Sequence, residues 1–396
     1  MRARSPLVAL LLVAAVVAVT SSARARTEAV GQFATMIDSR AELRDPALTA
    51  ARQRVVVMQS WRAGDAMRLK RANPRVIVLA YLNLSAMSVA TPRGFATGVQ
   101  TQPARHVKAG ISRYAVAHQG WYLHTRGGAR FTFWGLPWLW AANVGDPGYQ
   151  AQWARNATRL LAAHPEFDGV FVDDVNPTLR YHWDPSDVRE LPSDADYQAA
   201  TGRALAAIAR RIHALGRLVY ANIGAWADYG DQVRPWLAGL DGVMDEQWVK
   251  WTARPGHGWR DEAGWARQVS NVADASAAGV TVLAVTHSSN RDAAAARYGY
   301  ASALLASHGR VLFESTADYH SEPWFADYDT DLGAPSGAMT TDAGGVRRRA
   351  FARGLVLVNP TAAPQQADLG GIYSGDGLRH VTSARLAAHT ALILTR

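Results

Sequence analysis

Two adjacent carboxylic acids, Asp173 and Asp174, follow a short apolar run made of Val170, Phe171 and Val172. β-Branched and aromatic residues between a Gly and a Pro predict a short buried strand with the two acids at its carboxyl end. Charged groups are costly to bury in a core, but enzymes on parallel α/β barrels keep their catalytic groups at that end of the strands. Strand alternation points the two carboxylates to opposite faces, so the run alone leaves open which one faces a catalytic cleft.

A second pair of acids, Asp245 and Glu246, ends a later apolar run, and Trp248 and Trp251 follow closely. Hydrolysis of a glycosidic bond needs one carboxylic acid to protonate the leaving oxygen and a second carboxylate that attacks the sugar or activates water. A crowded or apolar setting raises the pKa of a carboxyl group enough for it to hold a proton near neutral pH. The pattern therefore predicts a glycosidase site that takes its general acid from the second pair and the partner carboxylate from the first.

Structural roles compete with these chemical ones. Asp173 or Asp174 could cap the segment that follows, as Asp before Asn-Pro often does. Glu246 could form a salt bridge with a neighbouring loop, and Glu314, at another predicted strand end, fits a structural ion pair about as well as a place in the site. Asp146 precedes a proline, which is typical of a helix N-cap rather than of a catalyst.

Polar and aromatic residues at or near predicted strand ends are the candidates for substrate binding. They are Trp61, Tyr81, Asn83, Trp140, Asn222, Trp248, His287 and Glu314. Tryptophan and tyrosine rings suit the apolar C–H faces of sugars, while their N–H and O–H groups suit sugar hydroxyls. Asn83 and Asn222 fit hydrogen bonding better than a chemical step. For His287, a core or hydrogen-bonding role competes with substrate contact.

Other chemistries find little support in the sequence. The chain contains no Cys, which excludes thiol nucleophiles and Cys-based metal sites, and its 12 His are scattered without the spacing of metal ligands. The phosphate-binding loop, the nucleophile elbow of α/β-hydrolases and the His-Glu-x-x-His motif do not occur in it. We therefore expect no metal and no other cofactor. Basic and aromatic residues are not interleaved as in nucleic-acid-binding proteins, so we expect a carbohydrate partner and no nucleic acid.

Apolar runs that alternate with helical patterns indicate the fold. The predicted strands are residues 54–59, 75–83, 139–144, 168–174, 217–222, 240–247, 280–285 and 310–314, and one of the helices is predicted near residues 111–118. Eight strands over about 270 residues predict an α/β protein, a (β/α)8 TIM barrel, and the strand count favours it over a doubly wound sheet. Short apolar runs after a Gly- and Asp-rich segment predict a small C-terminal antiparallel β domain. We expect the barrel at residues 26–326 and the β domain at residues 345–396.

Residues 1–25 have the pattern of a secretory signal peptide. Arg2 and Arg4 precede an apolar run, residues 7–19, and small residues follow it. The run is too short to span a bilayer comfortably, so an uncleaved anchor is the weaker alternative. We expect a secreted protein, extracellular or periplasmic, with no stable membrane insertion once this segment is removed.

Five stretches of the chain carry a family resemblance. They are residues 120–123 (GWYL), 142–147 (ANVGDP), 168–177 (DGVFVDDVNP), 220–223 (YANI) and 354–360 (GLVLVNP). In this order they are similar to motifs of glycoside-hydrolase-like family 15, which looks related to barrels of the endo-α-1,4-polygalactosaminidase type. The resemblance implies a barrel that hydrolyses carbohydrate, with Asp173 as the first catalytic acid, Asp174 as its neighbour and Glu246 as the second acid. It implies no catalytic role for Asp146, because an acid expected earlier in the family's third-strand motif does not occur here.

Together these observations predict a secreted glycoside hydrolase that cleaves an extracellular polysaccharide, with Asp173 as nucleophile or general base, Glu246 as general acid and Asp174 assisting. The alternative is a non-catalytic carbohydrate-binding or cell-surface protein on a degenerate barrel. Carboxyl groups about 5–5.5 Å apart indicate a retaining enzyme, about 6.5–9.5 Å an inverting one, and a much larger gap favours binding without catalysis. A polysaccharide lyase or deacetylase is a second enzymatic alternative, which would show unsaturated products or a bound metal.

Overall fold

A closed barrel of eight parallel strands forms the larger part of the computed structural model, which describes residues 30–38, 40–88, 118–137 and 139–396. Its elements and a separate strand pair are, in chain order, β1 (Gly31–Met36), α1 (Pro46–Arg52), β2 (Gln53–Gln59), α2 (Ala63–Ala72), β3 (Ile77–Asn83), β4 (Ala86–Ser88), β5 (Leu139–Ala141), α3 (Pro147–Ala163), β6 (Gly169–Val175), α4 (Asp194–His213), β7 (Leu218–Ile223), α5 (Gly230–Leu237), β8 (Gly242–Asp245), α6 (Glu262–Ala277), β9 (Thr281–His287), α7 (Ala293–Ala306) and β10 (Val311–Thr316). Around the barrel the order is β1, β2, β3, β6, β7, β8, β9 and β10, and β10 closes on β1. The predicted (β/α)8 barrel is confirmed.

The prediction is wrong about the first and third strands of the barrel. β1 is absent from the predicted set, and residues 139–144 do not enter the barrel, because β5 pairs antiparallel with β4 in a separate two-stranded sheet. β1 contains Gln32 and Thr35 among its apolar residues, yet all six of its residues are buried. A short apolar run cannot by its pattern distinguish a barrel strand from an outer strand, since both are buried. The two errors offset each other, so β6 is the fourth barrel strand, as predicted.

Side-chain caps explain where several helices begin. Oδ1 of Asp146 accepts the N–H of Tyr149 at 2.9 Å, so the predicted N-cap of α3 is confirmed. Asp292 caps α7 in the same way, by accepting the N–H of Ala295 at 3.0 Å. Such caps satisfy backbone N–H groups that have no partner within the first helical turn.

Residues 1–25, predicted as a signal peptide, lie outside the described residues. The same holds for residues 111–117 of the predicted helix near residues 111–118, while His118 precedes a short 3-10 turn at Gln119–Trp121. Among the helices that are described, none has the length and apolar character needed to cross a membrane.

The amino end of β6 is held by Asp168, the residue just before the strand. Its two carboxylate oxygens lie 2.8 Å from Nζ of Lys70 on α2, and Oδ2 accepts the Val78 N–H at 2.7 Å. Gly169 follows because a Cβ at this position would collide with the carbonyl group of Leu218 on β7. These contacts set the position of β6 between its neighbours, and with it the place of the two acids at its far end.

A six-stranded antiparallel sheet follows the barrel, as predicted for the C-terminal region. Its strands are β11 (Thr340–Thr341), β12 (Arg347–Phe351), β13 (Gly354–Asn359), β14 (Gln365–Gly375), β15 (Leu378–Leu386) and β16 (Thr390–Thr395), arranged in the order β11, β12, β13, β16, β14, β15. Arg349 on β12 is buried, and its Nη1 donates to the carbonyls of Leu304, Leu305 and Ser307 at 3.0, 3.2 and 2.7 Å. Because these carbonyls lie at the end of α7, the arginine ties the sheet to the barrel.

Candidate active site

β6 ends in a bulge that brings both of its acids to the mouth of the barrel. The pairing of β6 with β7 shifts between Val172 and Val175, and Asp174 has a φ of 54°, in the left-handed region. A bulge residue in that region interrupts the alternation of side chains, and Asp tolerates it better than most residues. Asp173 and Asp174 are consequently both partly exposed, and both contact side chains of β3. The expectation that they point to opposite faces is wrong.

Two side chains of β3 hold these acids. The Tyr81 hydroxyl donates to Oδ2 of Asp173, and Nδ2 of Asn83 donates to Oδ2 of Asp174. Tyr81 and Asn83 are each only 1% exposed, so they have almost no surface for a sugar. The structure therefore places these two predicted substrate-binding residues where they orient the carboxylates instead.

Asn222 on β7 connects Asp173 to Glu246. Its Nδ2 donates to Oδ1 of Asp173 at 2.9 Å and to Oε2 of Glu246 at 2.7 Å. Acceptors on the two hydrogens of one amide group are about 120° apart, which places these two carboxylate oxygens roughly 5 Å from each other. Glu246 directly follows β8, so the barrel brings together acids from its fourth and sixth strands.

The second oxygen of Glu246 lies 2.7 Å from the hydroxyl of Tyr319, which follows the last barrel strand. That hydroxyl also lies 3.2 Å from Nε2 of His287. Burial lowers the pKa of His287 to about 4, so its ring is neutral near pH 7. Sequence reasoning missed Tyr319, whose only local signal is its place shortly after a predicted strand.

Burial and mutual repulsion shift the pKa values of both acids of β6. Burial raises the pKa of Asp173, the charge of Glu246 adds to the effect, and hydrogen bonds from Tyr81 and Asn222 oppose it. Burial, followed by the charge of Asp173, raises the pKa of Asp174 well above its usual value. Because the ionised form of Asp173 is the better hydrogen-bonded of the two, a proton shared by this pair resides on Asp174.

Asp245 and Trp248, which flank Glu246, lie outside the cleft. Trp248 is fully buried and its Nε1 donates to the carbonyl of Gly299 at 2.9 Å, so the prediction that it binds substrate is wrong. Asp245 points to α6, where Nε2 of Gln268 donates to its Oδ2 at 2.9 Å, and burial raises its pKa to about 6. Neighbouring residues along a strand point to opposite faces, so Glu246 faces the cleft and Asp245 does not.

Glu314 on β10 lies inside the barrel and is only 5% exposed. The Thr35 N–H donates to its Oε1 at 3.0 Å, and its Oε2 has no hydrogen-bond partner among the described residues. Burial raises the pKa of Glu314 to about 8. The burial contradicts the predicted contact with substrate, and the alternative, an ion pair, is not found in the described part of the chain.

Trp61 and Trp140 are partly exposed, and their contact with substrate stays a prediction. The Trp140 ring packs edge-on against Tyr122, at 6.5 Å between ring centres, and the Arg130 guanidinium lies 5.6 Å from it. Within the described ranges, no group of three or more His, Asp or Glu side chains has the arrangement of a metal site.

A search of solved structures finds glycoside hydrolases that are similar to this chain at low sequence identity. A variant of a GH27 β-L-arabinopyranosidase from Geobacillus stearothermophilus, in complex with arabinose, has a TM-score of 0.52 and 11% identity, over 94% of this chain and 98% of that chain. The glycoside hydrolase domain of PelA from Pseudomonas aeruginosa has a TM-score of 0.48 and 17% identity, over 74% of this chain and 96% of that chain. Ega3 from Aspergillus fumigatus, in complex with galactosamine, has a TM-score of 0.45 and 13% identity, over 74% of this chain and 93% of that chain. At 11% identity, the likeness to the arabinopyranosidase concerns the fold alone.

A comparison with curated proteins finds no match. A comparison with models of protein families gives a match that is more specific than those to the solved structures. The model described as hypothetical glycosyl hydrolase family 15 matches residues 70–355, which include the strand ends that carry Asp173, Asn222 and Glu246. The match covers well over half of the chain and confirms the resemblance seen in the sequence motifs. The chain belongs to hypothetical glycosyl hydrolase family 15 and is a glycoside hydrolase.

Proposed function

We propose that the protein cleaves an extracellular polysaccharide by a two-carboxylate mechanism, with Asp173 and Glu246 as the catalytic pair. The observation that carries this proposal is the amide group of Asn222, which binds both carboxylates at once. One amide can do so only when the two acids are close enough to act on the same bond. This closeness supports catalysis over the non-catalytic alternative, which has no need of paired acids.

The spacing of the pair favours retention of the anomeric configuration. Retaining glycosidases hold their carboxyl groups about 5–5.5 Å apart, whereas inverting ones leave room for a water molecule at about 6.5–9.5 Å. The two oxygens that share Asn222 Nδ2 cannot lie farther apart than its donor–acceptor distances of 2.9 and 2.7 Å laid end to end. That limit is below the inverting range.

The reaction then has two steps. Asp173 attacks the anomeric carbon while Glu246 passes its proton to the leaving glycosidic oxygen, and the glycosidic bond breaks to leave a glycosyl ester on Asp173. Glu246, now ionised, takes a proton from a water molecule whose oxygen attacks the same carbon. The ester bond breaks, the sugar leaves, and both acids return to their starting states.

The surroundings of Asp173 suit a nucleophile. Its carboxylate accepts hydrogen bonds from Tyr81 and Asn222, which hold it in one orientation and stabilise its ionised form. Burial and the charge of Asp173 raise the pKa of Asp174, which favours the protonated form of this neighbour over a second negative charge at the bulge. Asp174 thereby assists without competing for the sugar.

Tyr319 and His287 let Glu246 change its protonation state without losing a hydrogen bond. When Glu246 is protonated, its O–H donates to the Tyr319 oxygen and the Tyr319 O–H donates to Nε2 of His287. When Glu246 is ionised, the Tyr319 O–H turns to the carboxylate. A neutral His287 with its proton on Nδ1 supplies the acceptor that the first arrangement needs. Glu246 is therefore suited to act as acid in one step and as base in the next.

Product analysis on the purified protein tests the proposal. The protein is incubated with a panel of acidic, amino and neutral exopolysaccharides, and the products are identified by mass spectrometry. Asp173→Asn and Glu246→Gln should each abolish product formation, while Asp231→Asn, at a position that is 91% exposed, should retain it. All variants should unfold at nearly the wild-type temperature. Wild-type rates in both Asp173→Asn and Glu246→Gln would overturn the assignment, and binding of polysaccharide without any product would favour the non-catalytic alternative.

We also propose that the enzyme acts outside the cytoplasm. The proposal rests on residues 1–25, with their basic start, apolar run and small residues. Amino-terminal sequencing of the protein recovered from the periplasm or the medium should start just after this segment. Recovery of the uncleaved chain in the cytosolic fraction alone would contradict the proposal.

A further inference from the structure

Trp134 is the most exposed tryptophan side chain among the described residues, at 57%. It lies in the short 3-10 turn Phe133–Gly135, outside the barrel strands, and has a φ of 52°. A large aromatic residue in the left-handed region is strained and persists only where surrounding contacts hold it there. Its exposure excludes a packing role in the core.

The indole of Trp134 reaches the acids at the barrel mouth. The Trp134 side chain interacts with the carboxylate of Asp174, the neighbour of Asp173 at the β6 bulge, and lowers the pKa of that group. Asp174 has a φ of 54°, so both of these residues lie in the left-handed region. Such strained positions cluster at binding and catalytic sites. The indole is thus held at the edge of the cleft by a contact with the acid cluster itself.

Neighbouring aromatic rings support the indole without covering it. The His182 ring lies 4.4 Å from the Trp134 ring at an interplanar angle of 84°, and the Phe133 ring lies 5.9 Å away at 82°. Both contacts are perpendicular, so neither partner lies flat on the indole. Burial lowers the pKa of His182 to about 4, which keeps this support uncharged near neutral pH. The Trp134 indole is therefore an apolar ring that its neighbours support in position and that remains accessible beside the acids.

We propose that Trp134 forms a sugar-binding subsite next to the cleavage point, where its indole stacks on a pyranose ring of the substrate chain. The proposal rests on the glycosidase function proposed for Asp173 and Glu246 and extends it. The interaction with Asp174 places the indole beside the catalytic acids. A sugar that stacks on the indole therefore brings the adjoining glycosidic bond to the catalytic pair.

Two substitutions of Trp134 separate stacking from the effect of the indole N–H on Asp174. Trp134→Phe keeps an aromatic face and removes the N–H, whereas Trp134→Ala removes both. We expect Trp134→Ala to raise KM roughly tenfold or more, and Trp134→Phe to raise it less, because the phenyl ring still offers a face to the sugar. Both variants should shift the pH–rate profile, since the N–H that they remove lowers the pKa of Asp174. An unchanged KM together with an unchanged pH profile in Trp134→Ala would overturn the proposal.

Trp251 provides a matched control. It is 46% exposed on the loop after β8, and the Arg260 guanidinium lies over its ring at 5.2 Å. Because this cation already covers a face of the indole, we expect Trp251→Ala to change KM less than Trp134→Ala and to leave the pH–rate profile unchanged. The comparison distinguishes loss of the subsite from a general loss of exposed aromatic surface.

A footprint measures binding without turnover. The Glu246→Gln variant is treated with N-bromosuccinimide, which oxidises exposed indoles, in the presence of hexasaccharides from cellulose, chitosan and polygalacturonic acid. Protection of Trp134 by at least one of them, while Trp251 is oxidised as before, supports the subsite. Oxidation of Trp134 at an unchanged rate with all three overturns it, even where the wild type hydrolyses a polymer. Protection without hydrolysis by the wild type supports the subsite and refutes the glycosidase mechanism.

Discussion

The hydroxyl of Tyr319 lies 2.7 Å from Oε1 of Glu246, although 73 residues separate the two along the chain. Tyr319 follows β10 and Glu246 follows β8, so the contact reaches across the end of β9. His287, the last residue of β9, completes the cluster at 3.2 Å from the same hydroxyl. Three successive barrel strands thus meet around the carboxyl group to which we assign proton transfer.

Tyr319→Phe should lower kcat by roughly 10–100-fold and change KM little. The reason is that Glu246 loses the hydroxyl that forms a hydrogen bond with both its protonated and its ionised form. Steady-state kinetics on the cleaved polysaccharide measures this. Tyr328→Phe is the matched control, since Tyr328 is largely buried nearby in the chain and its hydroxyl has no hydrogen-bond partner in the described part of the molecule. Equal losses in both variants would point to packing rather than to the proton.

Asn222→Ala should lower kcat/KM by roughly 100-fold, because Asp173 and Glu246 lose the amide that orients them, and small misplacements of catalytic groups are costly. Asn222→Asp should be worse still, since it adds a negative charge to the acid cluster. Asn271→Ala, which removes an amide that donates to the carbonyl of Trp226 at 3.1 Å, serves as control. Near-wild-type activity in Asn222→Ala would show that the two acids do not depend on their shared donor.

Asp174→Gly should raise the free energy of unfolding at pH 7 by about 1 kcal/mol, because glycine adopts a φ of 54° without strain and a carboxyl group is removed from a crowded site. The same variant should lose activity, since it leaves Asn83 without its acceptor and removes the side chain that Trp134 contacts. Asp174→Val should be destabilising, as a β-branched residue is poorly tolerated in the left-handed region. Denaturant titrations measure the free energy of unfolding of each variant. If Asp174→Gly is less stable than Asp174→Val, the argument from backbone conformation is refuted.

Glu314→Gln should flatten the dependence of stability on pH. Burial raises the pKa of Glu314 from 4.5 to about 8, so between these values the folded protein keeps a proton that the unfolded chain releases. The stabilisation is fully present below about pH 4.5 and is lost as the pH rises towards about 8, with a slope of roughly 1.4 kcal/mol per pH unit. Denaturant titrations from pH 5 to 8 should show a smaller decline in the variant. An identical decline in both proteins would mean that Glu314 does not titrate in this range.

The features that the sequence predicts correctly depend on residues close together in the chain. An apolar run between a Gly and a pair of acids predicts β6, and Asp146 before a proline predicts the start of α3. Parallel strands are buried on both faces, so their runs are apolar throughout and can be counted, which led to the barrel. The order of the motifs led to the family in the same way.

The predicted number of barrel strands is right although two strands were misassigned. An apolar run indicates that a strand is buried, but it does not indicate which strand it pairs with. β5 is buried against β4 outside the barrel, while β1, with Gln32 and Thr35 in it, is buried within. Backbone pairing makes this difference, and the partner strand comes from another part of the chain. No local pattern contains that information.

The composition of the site depends on such distant pairing. The bulge that turns Asp174 to the cleft arises from the register between β6 and β7, and the burial of Trp248 and Glu314 depends on which elements lie beside them. Tyr319 and Trp134 belong to loops without strand or helix periodicity, yet they contact Glu246 and Asp174. The sequence indicates which acids are available, and packing between distant segments selects the ones that meet.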